Sequence, residues 1–127
     1  MLKEALICVI IVVGIFGLEF YTKKFTEQTV SDITDIFNKI EENISNREIE
    51  LLNNEIKNIE TKWEEKQKRL AYYIEHDELE KVHTAIVTMK SYVETENFSS
   101  AMAELEEGEF VIEHIQEKNS FNLQNIF

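Results

Sequence analysis

The feature that most constrains this chain is an apolar run close to its amino terminus. Residues 5–18 read ALICVIIVVGIFGL and contain no charged side chain. A helix of this length spans about 21 Å, whereas the hydrocarbon core of a bilayer is about 30 Å thick. A helix over residues 2–21 reaches about 30 Å, provided that its flanking charges lie at the headgroups and Phe20 and Tyr21 lie in the interface. The run therefore predicts contact with the lipid bilayer through residues 2–21.

A cleaved signal peptide is the competing interpretation, because the apolar core of such a peptide can be this short. It requires a more basic start than the first four residues, MLKE, and a cleavage site made of small residues, which does not follow the run. The sequence thus favours an uncleaved signal-anchor and a single-pass protein of the cell membrane.

The remainder of the chain has an all-α composition. The 127 residues include no Pro and three Gly, and only Gly108 lies beyond the apolar run. Sharp turns and glycine-rich phosphate loops need those residue types, so a β-rich fold and a nucleotide-binding loop are disfavoured. We predict an all-α fold, in which an N-terminal transmembrane helix precedes a small antiparallel helical bundle made of helical hairpins.

A first apolar stripe predicts that the anchor helix continues outward from the membrane; its members are Val30, Ile33, Phe37, Ile40 and Ile44. The stripe changes register after Ile44, which predicts a turn near residues 43–46. Ser45 and Glu48 have the spacing of a capping box and are expected to start the next helix.

Three further helices are predicted after that turn. The second carries an apolar seam over residues 49–73, with Trp63 near its middle. The third is expected to start at Asp77 with another capping box, and the fourth near Asn97 or Ser99. The predicted segments are a membrane anchor (1–24), a juxtamembrane helix (25–45), a helical bundle domain (46–118) and an apolar C-terminal tail (119–127). A fragment that starts at residue 46 is expected to fold alone.

Charge limits the partners of the soluble part. The net charge is −12, and the acidic residues are spread along the chain rather than massed in one tail. Such a surface repels phosphate backbones and anionic headgroups, so nucleic acid is not expected as a partner and polybasic docking on a membrane is disfavoured. The single cysteine, Cys8, lies in the apolar run without a disulfide partner and leaves the redox compartment open.

Catalytic and metal chemistry have little support in the sequence. Glu80 and His83 form half of the Glu-x-x-His pair that di-metal bundles use, but no second copy exists. His76 shares a helix face with His83, which gives two ligands at most. We expect no catalytic residue, no metal, no cofactor and no enzymatic activity.

Aromatic residues offer candidates for packing or interaction. Six of them are expected to meet where the hairpin ends come together: Trp63, Tyr72, Tyr73, Tyr92, Phe98 and Phe110. Packing is favoured over a ligand pocket. The uncharged tail needs a surface for its four large apolar side chains, and docking on its own bundle is favoured over docking on a partner. The candidate interaction or packing residues are Trp63, Tyr73, Tyr92, Phe98 and Phe127.

Taken together, these features make the chain resemble a family of short bacterial proteins of unknown function, found mainly in clostridia-type Gram-positive spore formers. The likeness covers nearly the whole chain and rests on Trp63, Tyr73–Leu79 (YIEHDEL), Ala101–Leu105, His114-Ile115 and Asn125–Phe127. The resemblance implies a membrane segment and a small helical domain outside the cytoplasm, and it carries no catalytic residue.

The leading functional hypothesis is a membrane-tethered, non-catalytic helical interaction module that binds another membrane or envelope protein. The alternative is an extracytoplasmic small-ligand sensor, with the ligand between helices near Trp63 and the tyrosines. Lys23 and Lys24 favour a cytoplasmic bundle by the positive-inside rule, whereas the signal-anchor character and the resemblance favour an extracytoplasmic one. We predict the extracytoplasmic orientation. Oligomeric state and partner identity stay open.

Overall fold

Four helices account for most of the chain in a computed structural model that describes the backbone of residues 1–126 and the side chains of residues 1–119. They are α1 (Leu2–Ser45), α2 (Ile49–Leu70), α3 (His76–Glu94) and α4 (Phe98–Ile126). α1 packs on α2 and α4, and α3 packs on the same two helices, whereas the diagonal pairs make no close backbone approach in the described residues. Because short corners join the helices, consecutive helices run antiparallel and form an up-and-down four-helix bundle. The predicted all-α bundle with a long apolar N-terminal helix is confirmed.

α1 has two halves with opposite environments. Its 44 residues make a helix about 66 Å long. The large apolar side chains between Leu2 and Tyr21 are exposed, and the buried positions of the helix begin at Phe25. The helix is long and apolar enough to cross a membrane, a property that a signal sequence would share. The segment over residues 25–45, predicted as a juxtamembrane helix, is thus the first helix of the bundle.

The core receives large side chains from all four helices. Phe37, Trp63, Met89 and Ile112 come from α1, α2, α3 and α4 in turn, and each is at most 2% exposed. All five members of the first predicted stripe are buried, as are the members of the α2 seam from Leu52 to Leu70. Helical periodicity therefore predicted the inward face of α1 and most of that of α2. Ile49, the predicted start of the α2 seam, is 46% exposed.

Two of the three corners share one backbone design. After α1, the Glu48 N–H donates to the Asn43 carbonyl (2.9 Å) and the Arg47 N–H donates to the Ile44 carbonyl (3.2 Å). After α3, the Asn97 N–H donates to the Tyr92 carbonyl (2.8 Å) and the Glu96 N–H donates to the Val93 carbonyl (3.0 Å). These are Schellman motifs, whose central residue has a left-handed conformation. Here it is Arg47 (φ 55°) or Glu96 (φ 58°), and not glycine.

The predicted capping boxes were wrong. Ser45 is the last residue of α1, and Glu48 precedes α2 without a side-chain cap hydrogen bond. Asp77 lies in the first turn of α3, which Glu75 precedes, again without a side-chain cap bond. At both places the backbone bonds of the corner set the helix start. The predicted start near Asn97 is confirmed, because its side-chain oxygen accepts from the Ser100 N–H at 3.3 Å.

Gly108 marks a close approach of α4 to α1. An added Cβ at this position would lie 3.0 Å from Cζ of Phe37 and 3.5 Å from Cβ of Ala85. The only glycine outside the apolar run is therefore a packing residue in a helix interior, where it accommodates a phenylalanine ring.

Candidate functional site

The end of the bundle at which α1 emerges is tied together by polar side chains. The Tyr73 hydroxyl lies 2.8 Å from Thr26 Oγ1 and donates to the Thr22 carbonyl at 3.3 Å. Asn119 Nδ2 of α4 donates to the same Thr26 oxygen at 3.3 Å. Burial raises the pKa of Tyr73, the neighbouring Tyr21 adds to that rise, and the Thr26 hydrogen bond opposes it. These hydrogen bonds attach the α2–α3 corner and α4 to the same turn of α1, at Thr22 and Thr26.

Aromatic rings and cations surround this level. We call the region formed by residues 18–25 and 66–74 the collar. Lys66 Nζ lies 5.2 Å from the centroid of the Phe25 ring, and the Arg69 guanidinium carbon lies 5.6 Å from it. Tyr21 stacks on the same ring at 6.2 Å between centroids. The geometry fits cation–π attraction, which holds the end of α2 against α1.

A groove of about 390 Å³ runs through the collar between α1 and the α2–α3 corner. Its lining is Leu18, Tyr21, Thr22, Phe25, Arg69, Tyr72 and Tyr73. Leu18 is 65% exposed and Tyr72 is 90% exposed, so large apolar surface is open to the surroundings on both sides of the groove. The lining is mainly aromatic and aliphatic, with one guanidinium at its edge.

The local charge of the collar is opposite to that of the whole chain. Its five cations are Lys23, Lys24, Lys66, Lys68 and Arg69, and its only carboxylate is Glu19. The chain as a whole carries −12. Packing of α2 against α1 therefore creates a small basic region on an acidic protein.

Another groove lies between α2 and α3, the adjacent pair with the sparsest packing. One part of it, of about 400 Å³, is bordered by Trp63, Ile86 and Val87, and Lys90 pairs with Glu60 across it at 2.9 Å. That pairing raises the pKa of Lys90. Trp63 is 2% exposed, and its indole N–H has no acceptor among the described residues.

The three histidines do not form a metal-binding group among the described residues. His76 and His83 border a further part of the α2–α3 groove together with Glu80, so they share a face as predicted. His76 Nε2 lies 3.3 Å from a Glu80 carboxylate oxygen, and His114 stacks on Phe110. Within residues 1–119, no group of three or more His, Cys, Asp or Glu side chains is placed to hold a metal ion.

The predicted packing residues lie at different levels of the bundle. Tyr73 is at the collar and Trp63 is inside the core, whereas Tyr92 and Phe98 flank the α3–α4 corner at the opposite end. Tyr92 and Phe98 are half-buried against the core. They pack on the same core that contains Trp63, but at the end of the bundle opposite to Tyr73. The side chain of Phe127 and those of the tail from residue 120 lie outside the described residues.

Sequence reasoning missed the collar, although a signal was present. Residues 66–73 read KQKRLAYY, a basic run followed by two tyrosines. This composition is typical of a membrane interface. Residues 66–73 lie beside residues 18–25 only because α2 packs back along α1, and the sequence does not show this packing.

A partly buried carboxyl group on α4 is the other electrostatic feature. Burial raises the pKa of Glu109, and the nearby carboxylates raise it further: Glu41 of α1, then Glu113 and Glu106 of α4. One oxygen of Glu109 is buried and has no hydrogen-bond partner among the described residues. The charged form of this side chain is therefore disfavoured in the folded bundle.

The fold defines a class of protein, an up-and-down four-helix bundle whose first helix extends outward as a long exposed apolar helix. Within that class, the chain belongs to the family described as Domain of unknown function (DUF4363), whose model matches residues 20–126. The match begins just ahead of Phe25 and so covers the bundle and not the apolar run. No curated protein and no solved structure matches the chain.

Proposed function

We propose that this protein is a membrane-tethered, non-catalytic interaction module of the cell membrane. The observation that supports it is the continuity of α1, which is exposed and apolar over residues 5–18 and enters the bundle core from Phe25. An unbroken helix transmits position and orientation, so the bundle would stand at a fixed height above the bilayer. A flexible linker would not provide this.

The partner in this proposal is another membrane or envelope protein, bound by an exposed surface of the bundle. Apart from Tyr72 in the collar, Phe110 is the most exposed large apolar side chain among the described bundle residues, at 70%. It stacks on His114, with ring centroids 6.5 Å apart, on the outer face of α4. Aromatic side chains presented in this way are enriched at protein interfaces.

The tether is tested by alkaline extraction of membranes from cells that express the full chain. An integral anchor stays in the membrane pellet, and the intact mass of the protein includes residues 1–18. Release into the supernatant, or a mature chain that starts after the apolar run, would show that the run is a cleaved signal peptide.

The partner is tested by a photo-crosslinking amino acid at Phe110, with the same amino acid at the exposed Lys57 of α2 as control. The proposal expects a discrete adduct with one membrane or envelope protein from position 110 and none from position 57. Equal labelling of many proteins at both positions would contradict a specific partner.

The proposed orientation places the bundle outside the cytoplasm. Lys23 and Lys24 after the span outnumber Lys3 before it and by the positive-inside rule favour the opposite side. The short apolar signal-anchor and the family resemblance support the extracytoplasmic choice. A reporter that is active only outside the cytoplasm, fused after Phe127, should be active. Protection of the bundle from protease in intact protoplasts, with cleavage after lysis, would reverse the orientation.

A second candidate function, binding of a small ligand, is favoured by the α2–α3 groove beside Trp63. The unpaired indole N–H is a donor that a ligand oxygen could accept from after a small shift of the helices. Trp63 is the only tryptophan, so its fluorescence reports on this place alone. A ligand that shifts this emission and raises the melting temperature supports the sensor, whereas a small-molecule screen without either change counts against it.

A further inference from the structure

The collar groove opens toward the surroundings of the exposed half of α1. Leu18 and Tyr21 line the groove and also belong to the exposed apolar face of α1, being 65% and 55% exposed. If α1 spans the bilayer over residues 2–21, this face touches lipid, and the groove begins at the level of the headgroups. A molecule that occupies the groove is therefore in contact with the bilayer.

The two sides of the groove differ in chemistry. Leu18, Tyr21 and Phe25 supply an apolar wall, and Arg69 lies at the other edge with Lys66 close by. The Tyr72 ring, 90% exposed, stands beside Arg69 in the α2–α3 corner. Tyrosine rings and Arg or Lys heads on apolar stems are the side chains that favour the boundary between acyl chains and headgroups.

We propose that the collar groove binds one anionic phospholipid of the bilayer; this inference rests on the membrane tether proposed above. The upper part of an acyl chain lies along Leu18, Tyr21 and Phe25. The phosphate lies between the Arg69 guanidinium and the Lys66 ammonium, where Arg69 offers a planar pair of N–H donors.

Charge favours a lipid over the other occupants of an apolar groove. The surface of the bundle is acidic overall and repels an anionic headgroup, so an attractive site has to be local. The collar provides that site, because Arg69 lines the groove and Lys66 lies over the same Phe25 ring. A second copy of this chain would bring the same cations and repel the first, and the transmembrane helix of another protein would leave Arg69 without an anion.

The bound lipid also has a mechanical consequence. α1 alone fixes the height of the bundle but leaves it free to rotate about the helix axis. A phospholipid held between α1 and the α2–α3 corner brings that corner to the membrane surface and sets which face of the bundle points along the membrane.

Native mass spectrometry of the full chain in detergent tests the proposal, with titration by phosphatidylglycerol and by phosphatidylcholine. We expect one phosphatidylglycerol to bind more tightly than phosphatidylcholine. The double variant Lys66→Gln/Arg69→Gln should weaken phosphatidylglycerol binding by about 10-fold or more, because the phosphate loses both of its charged hydrogen-bond donors. Phosphatidylcholine binding should change little.

The matched control is Lys57→Gln/Lys62→Gln, which removes two charges from the same helix away from the collar. It should leave phosphatidylglycerol binding unchanged. A second test variant, Tyr72→Ser, alters an exposed side chain without touching the core and should weaken binding of the same lipid. Melting curves of all variants establish that each is folded.

Three results would overturn the lipid site: equal affinity for both lipids, equal losses in the collar and control variants, or a second protein copy in place of the lipid. Alkaline extraction of the same variants separates this failure from failure of the tether. A chain that stays in the membrane but shows no lipid preference refutes the site alone. A chain released from the membrane refutes both.

Discussion

At the scale of single residues, two buried or partly buried side chains have unusual properties that their neighbours in space cause. Trp63 is the largest side chain that is fully buried in the described core, and its N–H lacks an acceptor there. Glu109 has a raised pKa because burial and three surrounding carboxylates disfavour its charge. The sequence predicted that Trp63 packs in the seam of α2, but it predicted neither the missing acceptor of its N–H nor the raised pKa of Glu109, because both depend on neighbours from other helices.

Truncation of the buried tryptophan should be costly. Trp63→Ala leaves a cavity at the centre of α2 and is expected to lower the free energy of unfolding by about 3–5 kcal/mol. That is a large fraction of the stability of a domain of this size. Thermal melts followed by circular dichroism measure the loss. The control Tyr72→Ala, at a position 90% exposed, should change stability by less than about 0.5 kcal/mol. Equal melting temperatures for Trp63→Ala and wild type would contradict the core position.

Neutralising Glu109 should stabilise the bundle in a pH-dependent way. Because the folded state raises the pKa of this carboxyl group, it binds the proton more tightly than the unfolded chain does. The stabilising effect of the proton is fully present below the ordinary pKa of about 4.3. It is lost as the pH rises through the folded-state pKa.

Glu109→Gln is therefore expected to melt at a higher temperature than wild type at neutral pH, and the difference should shrink toward acidic pH. Melting curves at a series of pH values measure it. Glu107→Gln, an exposed neighbour on α4, serves as the control and should show no such trend. A constant gain at every pH would assign the effect to helix propensity and not to charge.

At the scale of the helices, the ends are set by backbone geometry more than by side-chain caps. Two of the corners are Schellman motifs with a charged residue in the left-handed position. The helix faces were predictable, because burial follows the period of apolar residues in α1 and α2. The cap at Asn97 was predicted as well. The two capping boxes were not found, because the residue types of a capping box also occur inside helices and corners.

Glycine should improve both corners. Residues with a Cβ pay a conformational energy in the left-handed region that glycine avoids, so Arg47→Gly and Glu96→Gly should each stabilise the protein by about 1 kcal/mol. Chemical denaturation of each variant measures the gain. The control Asn46→Gly alters a residue with φ −90°, where glycine has no such advantage and should destabilise. A loss of stability at positions 47 and 96 as well would show that these side chains contribute contacts.

At the scale of the whole molecule, α1 belongs to two environments at once. Its residues from Phe25 to Ile44 supply ten buried positions to the bundle. The family match from residue 20 has nearly the same lower limit. The smallest unit that can bury the core therefore starts near residue 20, and the expected start at residue 46 has to be revised.

Two fragments test this revision. A fragment of residues 20–127 should be helical, soluble and cooperative in thermal unfolding, because all four core faces are present. A fragment of residues 46–127 lacks α1, exposes the apolar faces of α2 and α4, and should aggregate or melt without a cooperative transition. Circular dichroism melts and size-exclusion chromatography compare them. A cooperative transition in the shorter fragment would contradict the role of α1 in the core.

The sequence by itself determined the class of this protein. The apolar run, the lack of proline and the apolar period are local properties of the chain, and they predicted a long apolar N-terminal helix, the all-α fold and most helix bounds. Local rules suffice there, because helix formation depends on neighbours three and four positions apart.

Only the tertiary structure decided which surfaces meet. Phe25 and Arg69 are distant in the sequence, yet the return of α2 along α1 places the guanidinium 5.6 Å from the ring centroid. The same return brings Lys66 and Arg69 of an acidic chain beside the apolar half of α1. Net charge is a total over the whole chain, and periodicity describes neighbours along one helix. Neither property identifies which residues of different helices come into contact.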